Sequence, residues 1–116
     1  MAEKTPKRLK VKRVVTSAYF IATQNQVIEY GAEQFGYALA INLDIEIEKR
    51  VQALSNLYEF YPENRYLPTK SKIYRNIILG KYMILYRIKS ATVEVLAISH
   101  SSINPSQVKK LRRIKP

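Results

Sequence analysis

The chain has 116 residues, 47% of them hydrophobic, with three glycines, five prolines and a formal net charge of +11. That length suits one hydrophobic core and excludes a multidomain enzyme, and the apolar content excludes a disordered or low-complexity chain. The absence of cysteine and the presence of one histidine, His100, exclude disulfides, thiolate sites and multi-histidine metal centres.

Residues 9–15, LKVKRVV, alternate apolar and basic and then turn apolar, and valine favours extended backbone, so a first strand is expected there. Thr16 or Ser17 offers a hydroxyl to cap a helix over Ser17–Tyr30, which Gly31 is expected to end. Phe35–Tyr61 contains no proline. Leu39, Ile41, Leu43, Ile45 and Ile47 alternate as in a strand, but the length of the run favours a second helix, about 35–58, with Phe35, Leu39, Leu43, Ile47, Val51, Leu54 and Leu57 on its buried stripe. Ile41 and Ile45 then fall on a second face that the first helix, a partner or a second copy must cover. Tyr61–Lys72 reads as a proline-punctuated loop. Three extended runs follow, 73–79, 82–88 and 92–100, the first pair joined by a Gly80-Lys81 hairpin and the second by Lys89-Ser90-Ala91, giving an antiparallel meander. Tyr82–Ile88 is apolar on both faces and is expected to be central. Asn104 or Ser106 is placed to cap a short basic helix over Ser106–Ile114. The fold class is α+β: an N-terminal strand, a helical hairpin and a three-strand meander, with the helices packed on one side of the sheet. One domain is expected over 1–116, with its core at about 10–105 and basic terminal tails.

The longest apolar runs, 77–79 and 82–86, fall far short of the roughly 20 residues of a membrane-spanning helix, so no membrane association is expected. The basic start MAEKTPKRLKVKR leads into a mixed polar segment rather than an apolar leader, and the chain reads as unsecreted and cytoplasmic.

Charge is distributed unevenly. Residues 1–16 carry six bases and one acid, 17–63 two bases and seven acids, and 64–116 twelve bases and one acid. Arg65, Lys70, Lys72, Arg75, Lys81, Arg87 and Lys89 occupy 64–93 without an acid among them, so an outward-facing basic platform and an anionic partner are expected.

No nucleotide-binding glycine motif, nucleophile elbow or zincin helix is present, and no cofactor or metal is implied. Arginine, lysine, tyrosine and histidine are sufficient for metal-independent RNA cleavage, in which the substrate 2'-hydroxyl attacks and the protein supplies a base, an acid and cations for the phosphorane. Arg75, His100, Lys70 and Lys72 are the candidates for that chemistry. The bland alternatives are a strand arginine paired with a helix carboxylate, a histidine satisfied by one backbone bond, and two solvated loop lysines. Arg65, Lys81 and Arg87 are candidates for contact with a target or nucleic acid.

Several features together resemble the RelE/ParE superfamily of bacterial toxins. They are Arg65 and Leu67 ahead of the sheet, Tyr74-Arg75 opening the second strand, Gly80-x-Tyr82 with Tyr86 four residues on, and Ile98-x-His100. The resemblance spans about residues 10–105 and implies the same strand, helical hairpin and meander. It also implies a growth-inhibiting toxin neutralised by a cognate antitoxin, without a cofactor. RelE-like members cut messenger RNA, usually in the ribosomal A site, and ParE-like members poison DNA gyrase. Where RNase members place an arginine after the hairpin tyrosine, this chain has Met83. Where they place a late arginine and aromatic, it has Ser101, Ser102, Ile103 and Asn104. These departures favour a ParE-like gyrase target over an endoribonuclease, with a catalytically silent nucleic-acid-binding or adaptor domain as the reading from another class.

Overall fold

A computed structural model describes residues 10–116. The elements follow the order β1 (Arg13–Thr16), α1 (Ala18–Phe35), α2 (Tyr37–Leu57), β2 (Tyr74–Leu79), β3 (Tyr82–Ile88), β4 (Thr92–His100) and α3 (Pro105–Leu111). The four strands form one sheet in the order β1-β4-β3-β2, with β1 parallel to β4 and the remaining pairs antiparallel. The meander is therefore as expected, and the first strand closes it at the β4 edge.

β1 is shorter than its sequence pattern suggested. Leu9 lies outside the described residues, and residues 10–12 bond to α2 instead of to the sheet: the Lys12 amide donates to the Ser55 carbonyl at 2.8 Å and the Tyr58 hydroxyl to the Lys10 carbonyl at 2.7 Å. β4 begins only at Thr92, the partner of Arg13, so no strand is available for the earlier residues.

Ser17 is the α1 cap. Its hydroxyl oxygen accepts from the Phe20 amide at 2.9 Å and donates to the Leu96 carbonyl, also at 2.9 Å. Leu96 is the extra residue of a bulge where the β3–β4 register shifts between Leu85 and Tyr86, so the helix is anchored on the one irregular point of the sheet. α1 does not stop at Gly31. That glycine is buried where α1 approaches α2, and a Cβ built on it would lie 3.9 Å from the Ala40 Cβ. The break comes at Gly36, whose φ of +96° few L-residues adopt.

α2 is a helix, as its length required. Ile47, Val51 and Leu54 are buried against the sheet together with Phe20, Ile77, Ile84, Tyr86, Val93 and Val95. The ends of the expected stripe are not buried: Phe35 is 56%, Leu39 58% and Leu57 41% exposed, because the sheet covers only the middle turns, with Leu43 at their margin. Ile41 and Ile45, 45% and 49% exposed, are not covered by α1.

The helical pair packs on one side of the sheet as expected, and α3 covers the other. Its Val108 and Leu111 pack with Met83, Leu85, Leu96 and Ala97 on the face of the sheet opposite the hairpin. β3 accordingly has an apolar side chain on each face, as a central strand should. Asn104 caps α3 by accepting from the Ser106 amide at 2.9 Å, with Pro105 in the first turn. The helix ends at Leu111 rather than Ile114. No helix among the described residues is long and apolar enough to cross a membrane.

Candidate functional site

The basic run at 64–93 does not make one outward platform, and the pleat explains why. Arg75 lies opposite Tyr86 and shares its face, the one covered by the helical hairpin, whereas Arg87 lies on the α3 face and Lys81 at the β2–β3 turn. Each base meets a different neighbourhood.

Arg75 is fixed at the end of α2. Its Nη1 donates to the carbonyls of Glu59 and Tyr61 at 2.9 and 3.0 Å, and its Nε to the Lys72 carbonyl at 2.9 Å. The first two are backbone acceptors just beyond the C-terminus of α2, where a cation is electrostatically favoured. The partners are carbonyls and not the helix carboxylate of the bland alternative. Arg87, expected to face a target, is 9% exposed. Its Nε and Nη2 hold one oxygen of Glu94 at 2.7 and 2.6 Å, Nη1 reaches the Arg112 carbonyl at 3.0 Å, and Nη2 also reaches the Ile114 carbonyl at 3.0 Å. Burial works against its charge, but the bonds from Tyr74 and Glu94 more than offset that, and the guanidinium is held even more firmly protonated than usual. Lys70 and Lys72 are exposed loop residues. Arg65 is exposed with its guanidinium 5.1 Å from the Tyr66 ring centre.

His100 sits at the other end of the sheet, opposite Tyr82. Arg75 pairs with Tyr86, four residues along β3, which sets the two candidates about 13 Å apart along the strand direction alone, and they lie on the two strands that flank β3. His100 is exposed. Its Nδ1 accepts from the Ser102 amide at 3.2 Å and lies 2.7 Å from the Ser102 hydroxyl oxygen. An imidazole that accepts at Nδ1 carries its proton at Nε2 when neutral. Arg75, His100, Lys70 and Lys72 are therefore not brought to one centre in this structure.

What the fold does assemble lies around the β2–β3 turn. Gly80, at φ +60°, takes the first position of a two-residue hairpin and presents Lys81 and Tyr82 to the underside of the helical hairpin. A nearly apolar groove of about 170 Å³ is lined there by Gly31, Phe35, Leu39, Ala40 and Leu43 with Lys81 and Tyr82. Beside it, Tyr30, Val27 and Gln26 face Lys81, Tyr82 and His100 across a second concavity of about 310 Å³. The Lys81 ammonium stands 5.3 Å from the Phe35 ring centre and 6.0 Å from those of Tyr30 and Tyr82. The structure thus joins Lys81 and His100 in one surface, lined by aromatic and aliphatic side chains and carrying one cation. Phe35 and Leu39 were legible only as core residues; the signal that they lie elsewhere was the excess of apolar positions on α2 beyond what one buried stripe needs.

A third concavity, of about 470 Å³, opens on the opposite face between Arg65, Tyr66, Asn76, Ile78 and the turn at Ser101–Asn104. It holds no convergent set of titratable groups: Glu63 at its rim already accepts from the Thr69 amide at 3.0 Å, and the buried Asn64 oxygen from the Tyr66 amide at 2.8 Å. Among the described residues no cluster of acids and histidine suits a metal ion.

The fold has close counterparts. A chain from the chromosomal ParDE TA system of P. aeruginosa superposes with a TM-score of 0.65 at 14% identity, covering 79% of this chain and 98% of that one. A chain of the toxin-antitoxin complex RelBE2 from Mycobacterium tuberculosis gives a TM-score of 0.53 at 16% identity, covering 80% and 94%. No curated protein matches the sequence. The family model described as "ParE toxin of type II toxin-antitoxin system, parDE" matches residues 14–105, from β1 through the start of α3. With that match over most of its length and the corresponding architecture, this chain belongs to the ParE toxin family of type II toxin-antitoxin systems, within the RelE/ParE superfamily.

Proposed function

We propose that this toxin acts on DNA gyrase without cleaving RNA, and that a cognate antitoxin neutralises it by laying an amphipathic helix into the groove of Phe35, Leu39, Leu43 and Tyr82. The observation that carries the target is the state of Arg75. A phosphorane needs its cation and its acid at one centre, and the Arg75 guanidinium is tied by three backbone carbonyls to the end of the sheet away from His100. Met83, where the RNase branch has an arginine, is buried against α3 and adds no cation. The antitoxin reading is supported by the groove itself, since exposed aromatic and aliphatic residues beside a lysine suit an apolar helix face bordered by acids.

Expression in a bacterial host without the antitoxin is expected to arrest growth with an SOS response, and purified gyrase with supercoiled plasmid is expected to accumulate cleaved DNA. The second reading is a ribosome-dependent endoribonuclease, favoured by the convergence of Lys81, Tyr82 and His100 on one concavity. It requires discrete messenger RNA cuts that disappear in His100→Ala and Arg75→Ala. Such cuts would overturn the gyrase assignment.

A further inference from the structure

The far end of the sheet from the apolar groove carries a separate feature. A concavity of about 540 Å³ is lined by Arg87, Lys89, Arg112, Arg113 and Lys115, with Glu94 as its one acid. Glu94 is already bonded to Arg87, so it neutralises none of the others. The same guanidinium explains the grouping. By donating to the Arg112 and Ile114 carbonyls it holds the segment after α3 against the β3–β4 turn, which brings Lys89 beside residues 112–115. Lys89, Arg112, Arg113 and Lys115 are exposed, and none is in an ion pair among the described residues.

We propose that this surface binds the phosphate backbone of duplex DNA. Several cations without an acid to balance them require an anionic partner with closely repeated charge. An acidic peptide is a poorer fit, because protein interfaces depend on apolar or aromatic anchors and the only apolar side chains lining this surface are Ile114, half-buried in the α3 cluster, and Pro116. A single strand is a poorer fit because no aromatic ring lines the concavity to stack a base. Duplex RNA carries the same phosphates, but recognition of its 2'-hydroxyls calls for acceptors as well as donors, and the one side-chain acceptor lining this surface is the Glu94 oxygen that Arg87 leaves over. The contact is to backbone and carries no sequence preference. This inference does not depend on the gyrase reading.

The test is binding of the full-length toxin, without gyrase, to a fluorescent DNA duplex over a range of salt. Removing three phosphate contacts by Lys89→Ala, Arg113→Ala and Lys115→Ala together should flatten the slope of log affinity against log salt by about 2.7. The wild type would then lose about fortyfold more affinity than the variant between 50 and 200 mM salt. Arg113→Glu should weaken binding well beyond Lys49→Glu, which makes the same change in net charge on the helical hairpin. Arg113 is exposed, so this comparison holds even if the triple variant folds poorly. An unchanged slope in a folded triple variant, or equal losses from the two glutamates, would overturn the site. Tighter binding of single strands or of duplex RNA through the same residues would overturn the choice of duplex DNA.

Discussion

The Tyr86 hydroxyl ties the central strand to the end of α2, donating to the Tyr58 carbonyl at 2.7 Å from a fully buried ring. The carbonyl takes the place of water because α2 ends directly over the strand. Burial pushes the phenol above its ordinary value, so the folded protein keeps the proton that the unfolded chain releases near pH 10. The contribution is complete below that pH and declines above it, by up to about 1.4 kcal/mol per pH unit. Tyr86→Phe should cost about 1 kcal/mol at pH 7 and show a shallower loss of stability between pH 10 and 11, measured by urea unfolding. Arg87→Ala strands the Glu94 carboxylate and frees two carbonyls after α3, and should cost about 3 kcal/mol with loss of amide protection in α3. From sequence both arginines of β2 and β3 were candidates for function, because side-chain type and spacing do not reveal whether a guanidinium meets solvent or a ring of carbonyls.

Among the elements, the two glycines of the helical hairpin have opposite roles that a sequence does not separate. Gly31 looks like a terminator, yet the helix passes through it, and an added methyl would sit at ordinary contact distance from Ala40. Gly31→Ala should therefore stabilise the protein by up to about 1 kcal/mol through helix propensity alone. Gly36 turns the chain between α1 and α2 at a positive φ, and Gly36→Ala should cost about 1–3 kcal/mol although nothing stands within 4 Å of the new methyl. Opposite shifts in melting temperature check the pair. The meander was legible nearly to the residue, since Gly80, the 89–91 turn and the period-two pattern are local signals. The side of the sheet taken by α3 was not, although the two apolar faces of Tyr82–Ile88 called for a cover on each, because the bulge that turns both Leu96 and Ala97 to the α3 face leaves no mark in the chain.

For the whole molecule, apolar and basic surfaces lie at opposite ends of the sheet, and each should be removable without unfolding the protein. Leu39→Asp changes a side chain that is mostly in solvent, so stability should move by no more than about 0.5 kcal/mol while antitoxin affinity falls at least about tenfold, read by calorimetric titration. Retained affinity would remove the groove from the antitoxin interface. The net charge was plain in the sequence, but its division between structural arginines and exposed cations emerges only when β3, β4 and the C-terminal segment come together. The strand order was hidden for a related reason: Arg13 pairs with Thr92, and nothing near either residue specifies the other. That pairing has a consequence during synthesis. β1 leaves the ribosome 76 residues ahead of Thr92, where its one neighbour in the sheet begins, and long-range parallel pairing is slow to nucleate. On a nascent chain β1 consequently waits for β4, and the sheet cannot close at that edge before the meander has been made.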